Sequence, residues 1–297
     1  MKSEFRSGFV TLLGRPNVGK STLLNRIVGT KISITSRRPQ TTRHRILGVK
    51  TTKTSQAVFV DTPGLHAKAG RAINQVINRT ARASLEGVDM VVLLIEAGGW
   101  REGDELPLRL ACQAQVTPIL AINKIDRIRD KVRLLPLIEE AARKAPFADI
   151  VPISAKTGAN IDRFLGVIEG HLPEGPPGFM ADQVTDRSAA FMCAELVREQ
   201  VFRQLGQELP YASAVEIEEF SQTEDFARIE AILWVDKPSH KKILVGRSGE
   251  RVKQLGSRAR SNLEKYLGKR VHLQLWVKVR TGWADSMKAL QTLGYVE

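Results

Sequence analysis

The sequence predicts an α/β domain built on a mostly parallel sheet with helices on both faces, followed by a smaller α+β domain. Three observations carry this. Over the first 172 residues, short β-branched runs alternate with amphipathic segments of helix length. The runs "GFVTLL", "AVFVD", "MVVLLIEA", "TPILAIN" and "DIVPIS" are apolar throughout rather than alternating, as strands covered on both faces must be. Then "HLPEGPPGF", residues 171–179, places three prolines and two glycines where neither helix nor strand can continue. The expected division is a first domain at 1–172, a linker at 173–188 and a second domain at 189–297.

Composition agrees with two globular domains: 42% of the 297 residues are hydrophobic and 26% charged. Two distant cysteines, Cys112 and Cys193, support neither a disulfide framework nor a zinc site, so small core residues in a reducing cytosol are expected. The N-terminus has a five-residue apolar run, too short for a signal-peptide core. The longest later run, residues 90–95, has strand length, so no membrane span is expected. The net charge of +13 is unevenly spread. Residues 237–280 hold 13 Lys and Arg against 2 Asp and Glu, whereas residues 181–236 hold 4 against 12. A basic block alone is usually a solvated face; it gains meaning only where a binding motif falls inside it.

The first strand, "FVTLL", runs into "GRPNVGKS" and then the helical "STLLNRIVG". Gly14, Arg15, Pro16, Asn17, Val18, Gly19, Lys20 and Ser21, with Thr22 beside them, thus form a glycine-rich turn between a strand and a helix N-terminus. Glycines let backbone N–H groups close around phosphates, Lys20 reaches the outer phosphates, and Ser21 offers an oxygen to Mg²⁺. The next buried run, "AVFV", ends in Asp61, Thr62, Pro63 and Gly64; the carboxylate can hold Mg²⁺ through water while the Gly64 N–H meets the γ-phosphate. Between them, residues 30–45 read as a polar, basic switch without a core pattern. Its threonine closes on Mg²⁺, Thr42 being the first choice and Thr41 the alternative, and Arg37, Arg38, Arg43 and Arg45 read as phosphate or RNA contacts.

Two further strand ends carry "NKID" and "SAK". Asp126 can accept from the N1–H and exocyclic amine of guanine, and a buried carboxylate deprived of those donors discriminates by about 10⁴. Asn123 would tie the loops together, Lys124 would lie over the base, and the Ala155 N–H, between Ser154 and Lys156, would meet guanine O6. The ligand expected is GTP, with Mg²⁺.

In the second domain, "TDRS" offers caps to a helix from about 189 to 205, with strands near 214–220 and 227–235. "ILVGRSGERVKQL" then places Gly246, Arg247, Ser248 and Gly249 inside the basic block between two strands, a GxxG pattern expected to act as the loop with which KH domains clamp single-stranded RNA. Val252, Leu255, Ala259, Leu263 and Tyr266 share one face of the helix that follows; Arg251, Lys253, Arg258 and Arg260 occupy the others. Lys278 and Arg280, at the end of the last strand, are further candidates for backbone contact, while Trp234 and Trp276 read as core.

Together "GRPNVGKSTLLN", "ISITSRRPQTTRHRI", "DTPGLH", "NKID" and "VPISAKTG" resemble the bacterial Era-type GTPases, and the likeness continues through "LPYASAVEIEEF" to "VHLQLWVKVRTGWADS". The resemblance implies a Ras-like P-loop GTPase domain followed by a type II KH domain. It implies GTP and GDP as ligands, and binding near the 3′ end of 16S ribosomal RNA in 30S subunit assembly. It also implies a cytoplasmic protein, with the inner membrane as a possible peripheral surface; a monomer without DNA contact is expected. A GTPase of tRNA modification or of a membrane surface is the alternative reading. Leu65 stands where other nucleotide hydrolases carry a water-positioning glutamine. In the group that shares this trait, the P-loop asparagine, here Asn17, helps hold K⁺ beside the phosphates, so slow, K⁺-stimulated hydrolysis is implied.

Overall fold

In a computed structural model, residues 5–36, 38, 41–63, 71–206 and 208–295 are described. The chain forms two compact units, one from residues 1–68 and 77–186, the other from 69–76 and 187–297.

The first unit holds a six-stranded sheet. Its strands are β1 (Arg6–Leu13), β2 (Ile46–Thr51), β3 (Ser55–Asp61), β4 (Met90–Glu96), β5 (Ile119–Asn123) and β6 (Ile150–Pro152), in the order β2-β3-β1-β4-β5-β6. Only β2 runs antiparallel to its neighbour. Every residue of β3, β4 and β5 is buried, which explains why these strands read as continuous apolar runs. The helices are α1 (Lys20–Val28), α2 (Ala72–Ala83, of which residues 72–76 are counted with the second unit), α3 (Glu105–Gln113), α4 (Leu134–Lys144) and α5 (Ile161–His171). Close packing on β2 depends on Gly48: a Cβ there would lie 2.4 Å from Leu24 and 2.8 Å from Ile32. Since every parallel strand points the same way, the P-loop, Asp61, Glu96, Asn123 and Ser154 gather at one edge of the sheet, beyond its carboxyl ends.

Residues 173–186, within the linker expected at 173–188, are hydrogen-bonded to the sheet. The Pro173 carbonyl accepts from the Ser7 N–H, and the Val184 carbonyl accepts from the Val49 N–H. The Gln56 side chain, itself fully buried, holds Gly178 and Phe179. Prolines bar this stretch from helix and strand, yet its free carbonyls still pair with exposed N–H groups of the sheet.

The second unit follows the order α6 (Ala189–Gln204), β7 (Ser213–Gln222), β8 (Phe226–Val235), α7 (Pro238–Val245), α8 (Glu250–Leu267), β9 (Arg270–Val279) and α9 (Met287–Thr292). The Ser188 hydroxyl caps α6 by accepting from the Phe191 N–H at 3.2 Å. β8 pairs antiparallel with β7 and parallel with β9, the parallel step being bridged by α7 and α8. Leu255, Ala259 and Leu263 of α8 pack with Cys193, Leu196 and Val197 of α6 and Ile229 and Leu233 of β8 in one core. Cys193 is thus a core residue as expected, but Cys112 is exposed, because it lies on the outer side of α3.

Trp276 is also not core: it is 49% exposed. The pairing places Val271, Leu273, Leu275 and Val277 of β9 against the core and turns the intervening residues, Trp276 and Lys278 among them, to the other face. Trp234, half-buried on that face of β8, donates its indole N–H to Glu216 at 2.6 Å.

Candidate nucleotide and RNA sites

The phosphate loop turns on residues that only glycine and asparagine adopt readily. Gly19 (φ 112°) and Asn17 (φ 65°) have positive φ, and a Cβ on Gly19 would sit 2.3 Å from the Asn123 amide nitrogen. Lys20 is buried at the start of α1, where its ammonium donates to the carbonyls of Gly14 (2.8 Å) and Arg15 (3.2 Å). Burial lowers its pKa to about 8, against the pull of Asp61 and with a further push from Arg15. Val18 is wholly buried; Pro16, Ser21, Thr22 and the exposed Asn17 line the same pocket as Ile34, Thr41 and Thr42.

Ser21 and Thr42 lie with hydroxyls 2.9 Å apart, and Thr42 Oγ1 is 3.4 Å from Asp61 Oδ2, which also accepts from Ser33 Oγ at 2.8 Å. The Thr41 hydroxyl instead donates to the Arg38 carbonyl at 2.9 Å, so Thr42 is the threonine brought to the candidate metal position. Asp61 Oδ1 is buried with no hydrogen-bond partner. Burial pushes the Asp61 carboxyl up, against Lys20 and the surrounding hydroxyls. Two hydroxyls and a carboxylate with an unmatched oxygen are a hard oxygen set that suits Mg²⁺. Thr62, fully buried, donates to the Leu12 carbonyl and so fixes the end of β3 next to Pro63. Gly64, Leu65 and Arg37 lie outside the described residues.

Residues 30–45 depart from the expected coreless switch. Ile32 and Ile34 are buried, and Asn25 of α1 holds the backbone of Ile32 and Ser33 through three hydrogen bonds. Arg43, read as a phosphate or RNA contact, is buried at 3% exposed, as Thr41 and Thr42 are. The sparse spacing of Ile32 and Ile34 in a polar stretch hid this from pattern reading.

At the base loops, Asn123 donates to the Val18 carbonyl (2.8 Å) and accepts from the N–H groups of Lys124 (2.7 Å) and Ala155 (3.0 Å). It ties three loops together, but it also takes the Ala155 N–H expected to meet guanine O6. Asp126 is exposed rather than buried, since it sits on the short turn after β5; the Ser154 hydroxyl, donating at 2.6 Å, holds its carboxyl below the usual range. The Arg26 side chain donates to the Ala155 and Lys156 carbonyls.

One feature was missed from sequence. The Arg15 guanidinium is engaged by Glu96 (3.1 Å) and by the fully buried Asp104 (3.2 Å), and Glu96 also pairs with the Lys124 ammonium. Burial raises the Asp104 pKa despite Arg15; at Glu96, burial is overcome by Lys124, Arg15 and Arg101, and the carboxyl falls below its ordinary value. "IEAGGWREGDE" carried no signal for this beyond an acidic residue at the end of a buried strand.

In the second unit the GxxG loop has positive φ at Gly246 (73°), Ser248 (48°) and Gly249 (81°) and leads directly into α8. Arg247, Ser248 and Arg251 are exposed there, and Arg251 donates to the Ile243 carbonyl. A groove of about 430 Å³ follows, with Lys253, Ser257 and Arg260 of α8 on one wall and His272 and Leu273 of β9 on the other. Arg260 belongs to it and Arg258 does not: residues 253, 257 and 260 repeat at helical spacing, whereas 258 falls off that face. Lys278 pairs with Glu218 (3.3 Å) above the Trp234 ring, on the sheet face away from α8, and the Arg280 N–H donates to the Val235 carbonyl.

A phosphate loop, a switch carrying oxygen ligands, and paired base loops at the ends of a mostly parallel sheet, followed by a GxxG loop on an α+β unit, define a P-loop GTPase domain joined to a KH domain. Sequence profiles agree: one described as 50S ribosome-binding GTPase matches residues 9–124, and a KH domain profile matches residues 208–284. The chain is 49% identical to the GTPase Era of Xanthomonas oryzae pv. oryzae over 99% of its own length and 98% of that protein's. It is 50% identical to the Era of Coxiella burnetii over 98% of each. Its structure matches that of Era solved with MgGDPNP and nucleotides 1506–1542 of 16S ribosomal RNA, at a TM-score of 0.94 and 39% identity, over 99% of this chain and 100% of that one. Aquifex aeolicus Era bound to GDP·AlF4⁻ matches with the same score, identity and coverage. The chain belongs to the Era family of GTPases.

Proposed function

We propose that this chain is a GTP-driven switch that binds 16S ribosomal RNA near its 3′ end through the groove beside Gly246–Gly249 and acts in assembly of the 30S subunit. The observation that carries this reading is full-length agreement, across both units, with a relative solved with a GTP analogue and that RNA region. In this reading Lys20 and the P-loop N–H groups hold the β- and γ-phosphates, and Asp126, Asn123, Lys124 and Ser154 seat the guanine. Ser21, Thr42 and Asp61 hold Mg²⁺, which neutralises charge on the phosphates. Thr42 ties residues 30–45 to nucleotide state, while Arg247, Arg251, Lys253 and Arg260 meet the RNA backbone. In the same reading Asn17, exposed where it lines the phosphate pocket, shares K⁺ with the phosphates, and Leu65 supplies no hydrogen bond to water. Turnover is therefore slow and K⁺-stimulated; equal rates in K⁺ and Na⁺ would argue against it. No helix among the described residues is long and apolar enough to cross a membrane.

Co-sedimentation with purified 30S subunits, in GTP analogue against GDP, tests the central reading. Stronger retention with the analogue is expected. Absence of binding in both states overturns it, and nucleotide-independent binding would leave an RNA-binding module without a switch.

A further inference from the structure

The two carboxylates beside the P-loop are unusually placed. Glu96 ends β4 in register with Asn123 of β5, so its side chain stands between the phosphate loop and the guanine loop. It is 9% exposed and pairs with three cations: Lys124 from the guanine loop, Arg15 from the phosphate loop at 3.1 Å and the more exposed Arg101 at 3.9 Å. Lys124 sits in a left-handed conformation (φ 67°), and its ammonium also donates to the Asn17 carbonyl at 2.6 Å. On the far side, Asp104 forms an ion pair with Arg15 Nε at 3.2 Å and accepts the Arg101 N–H at 3.0 Å, which gives the guanidinium a second acid.

We infer that Glu96 is a positioning residue for nucleotide binding: it holds Lys124 on the Asn17 carbonyl and so couples the seating of the base to the shape of the phosphate loop. The inference rests on the guanine-nucleotide reading of this site. The physical argument concerns charge. Lys124, Arg15 and Arg101 converge on one carboxylate; with that charge removed, Lys124 is left near two guanidinium groups, and of the three only Arg15 keeps a second acid among the ion pairs of the described residues. A lysine without its counter-charge moves to water, and the Asn17 carbonyl loses its donor. Asp104 cannot substitute, because it is wholly buried against Arg15 and the Arg101 backbone. Glu96 thus acts through Lys124 and not on the nucleotide itself.

The test is a double-mutant cycle on the full chain, read by binding of a fluorescent GDP with Mg²⁺, with melting temperatures measured without nucleotide. Glu96→Gln keeps the shape and removes the charge; it is expected to weaken GDP binding about fivefold, the upper end of what a partly exposed charge pair contributes. Lys124→Ala weakens binding as well, and the double variant is expected to be no worse than Lys124→Ala alone, since Glu96 has then nothing left to position. Glu96→Asp, with the charge on a shorter arm, restores part of the affinity, and it carries the same cycle if Glu96→Gln does not fold. In GTP turnover the loss falls on KM more than on kcat. Additive losses, or wild-type affinity in Glu96→Gln, overturn the inference. If the unaltered chain fails to bind GDP, it is the guanine-nucleotide reading itself that falls.

Discussion

The side-chain carbonyl of Asn123 accepts the Ala155 N–H at 3.0 Å while its amide donates to the Val18 carbonyl at 2.8 Å, so one buried residue closes the phosphate loop onto both base loops. Asn123→Ala would leave the Val18 carbonyl and the N–H groups of Lys124 and Ala155 without partners. At about 1 kcal/mol or more for each orphaned group, the nucleotide-free domain should lose about 3 kcal/mol of stability. Urea denaturation of the unliganded protein checks this. An unchanged midpoint would mean that Asn123 serves the ligand alone.

Thr42 and Thr41 are adjacent in sequence and separate in structure. The Thr42 hydroxyl faces Ser21 and Asp61, whereas Thr41 faces the Arg38 carbonyl. Thr42→Ala is expected to raise the Mg²⁺ concentration needed for half-maximal GTP turnover, and Thr41→Ala to leave it near that of the wild type. A Mg²⁺ titration of both variants decides; the reverse ranking would reassign the ligand.

The groove beside α8 ranks the arginines. Arg260→Ala should weaken binding of a single-stranded 16S fragment and flatten the plot of log K against log salt by about 0.7, one phosphate contact's share, while Arg258→Ala should change the slope little. Gly246→Asp adds a side chain at φ 73° and within 3.0 Å of the Arg251 Cβ, so it should abolish RNA binding while GTP turnover without RNA persists. Filter binding at several salt concentrations tests both.

The two thiols should behave differently. Burial pushes Cys193 from 9.0 to about 12, whereas Cys112 is exposed. A maleimide at pH 8 should therefore modify Cys112 alone in the native chain and both after denaturation. Because the folded state favours the protonated Cys193 thiol, its contribution to stability is complete below pH 9 and is lost as pH rises towards 12. A melting temperature that rises across that interval would contradict the assignment.

Much of this was legible before the structure. Strand-end motifs are set by local chemistry: Lys20, Asp61, Asn123 and the Gly246–Gly249 loop need particular residue types at particular spacings, and parallel strands then gather the G-domain set at one edge. What escaped depends on contacts distant in sequence. Arg15 read as a phosphate ligand, but its partners are the acids Glu96 and Asp104, more than 80 residues away. Trp276 read as core because alternation gives two faces without saying which one the helices cover. Arg258 and Arg260 differ only in helical phase relative to β9, and that phase was set by the packing of Leu255 and Ala259.

The segment that follows the first unit's last helix has a protective consequence. β2 is the outermost strand of its sheet, and its outward N–H groups at Leu47 and Val49 are taken by the Asp186 carboxylate and the Val184 carbonyl. A fragment ending at His171 would uncover that strand and offer it to neighbouring chains as a template for edge-to-edge association, whereas one ending at Asp186 would keep it closed. Where the chain is cut thus decides whether the nucleotide-binding half, taken alone, stays dispersed or aggregates.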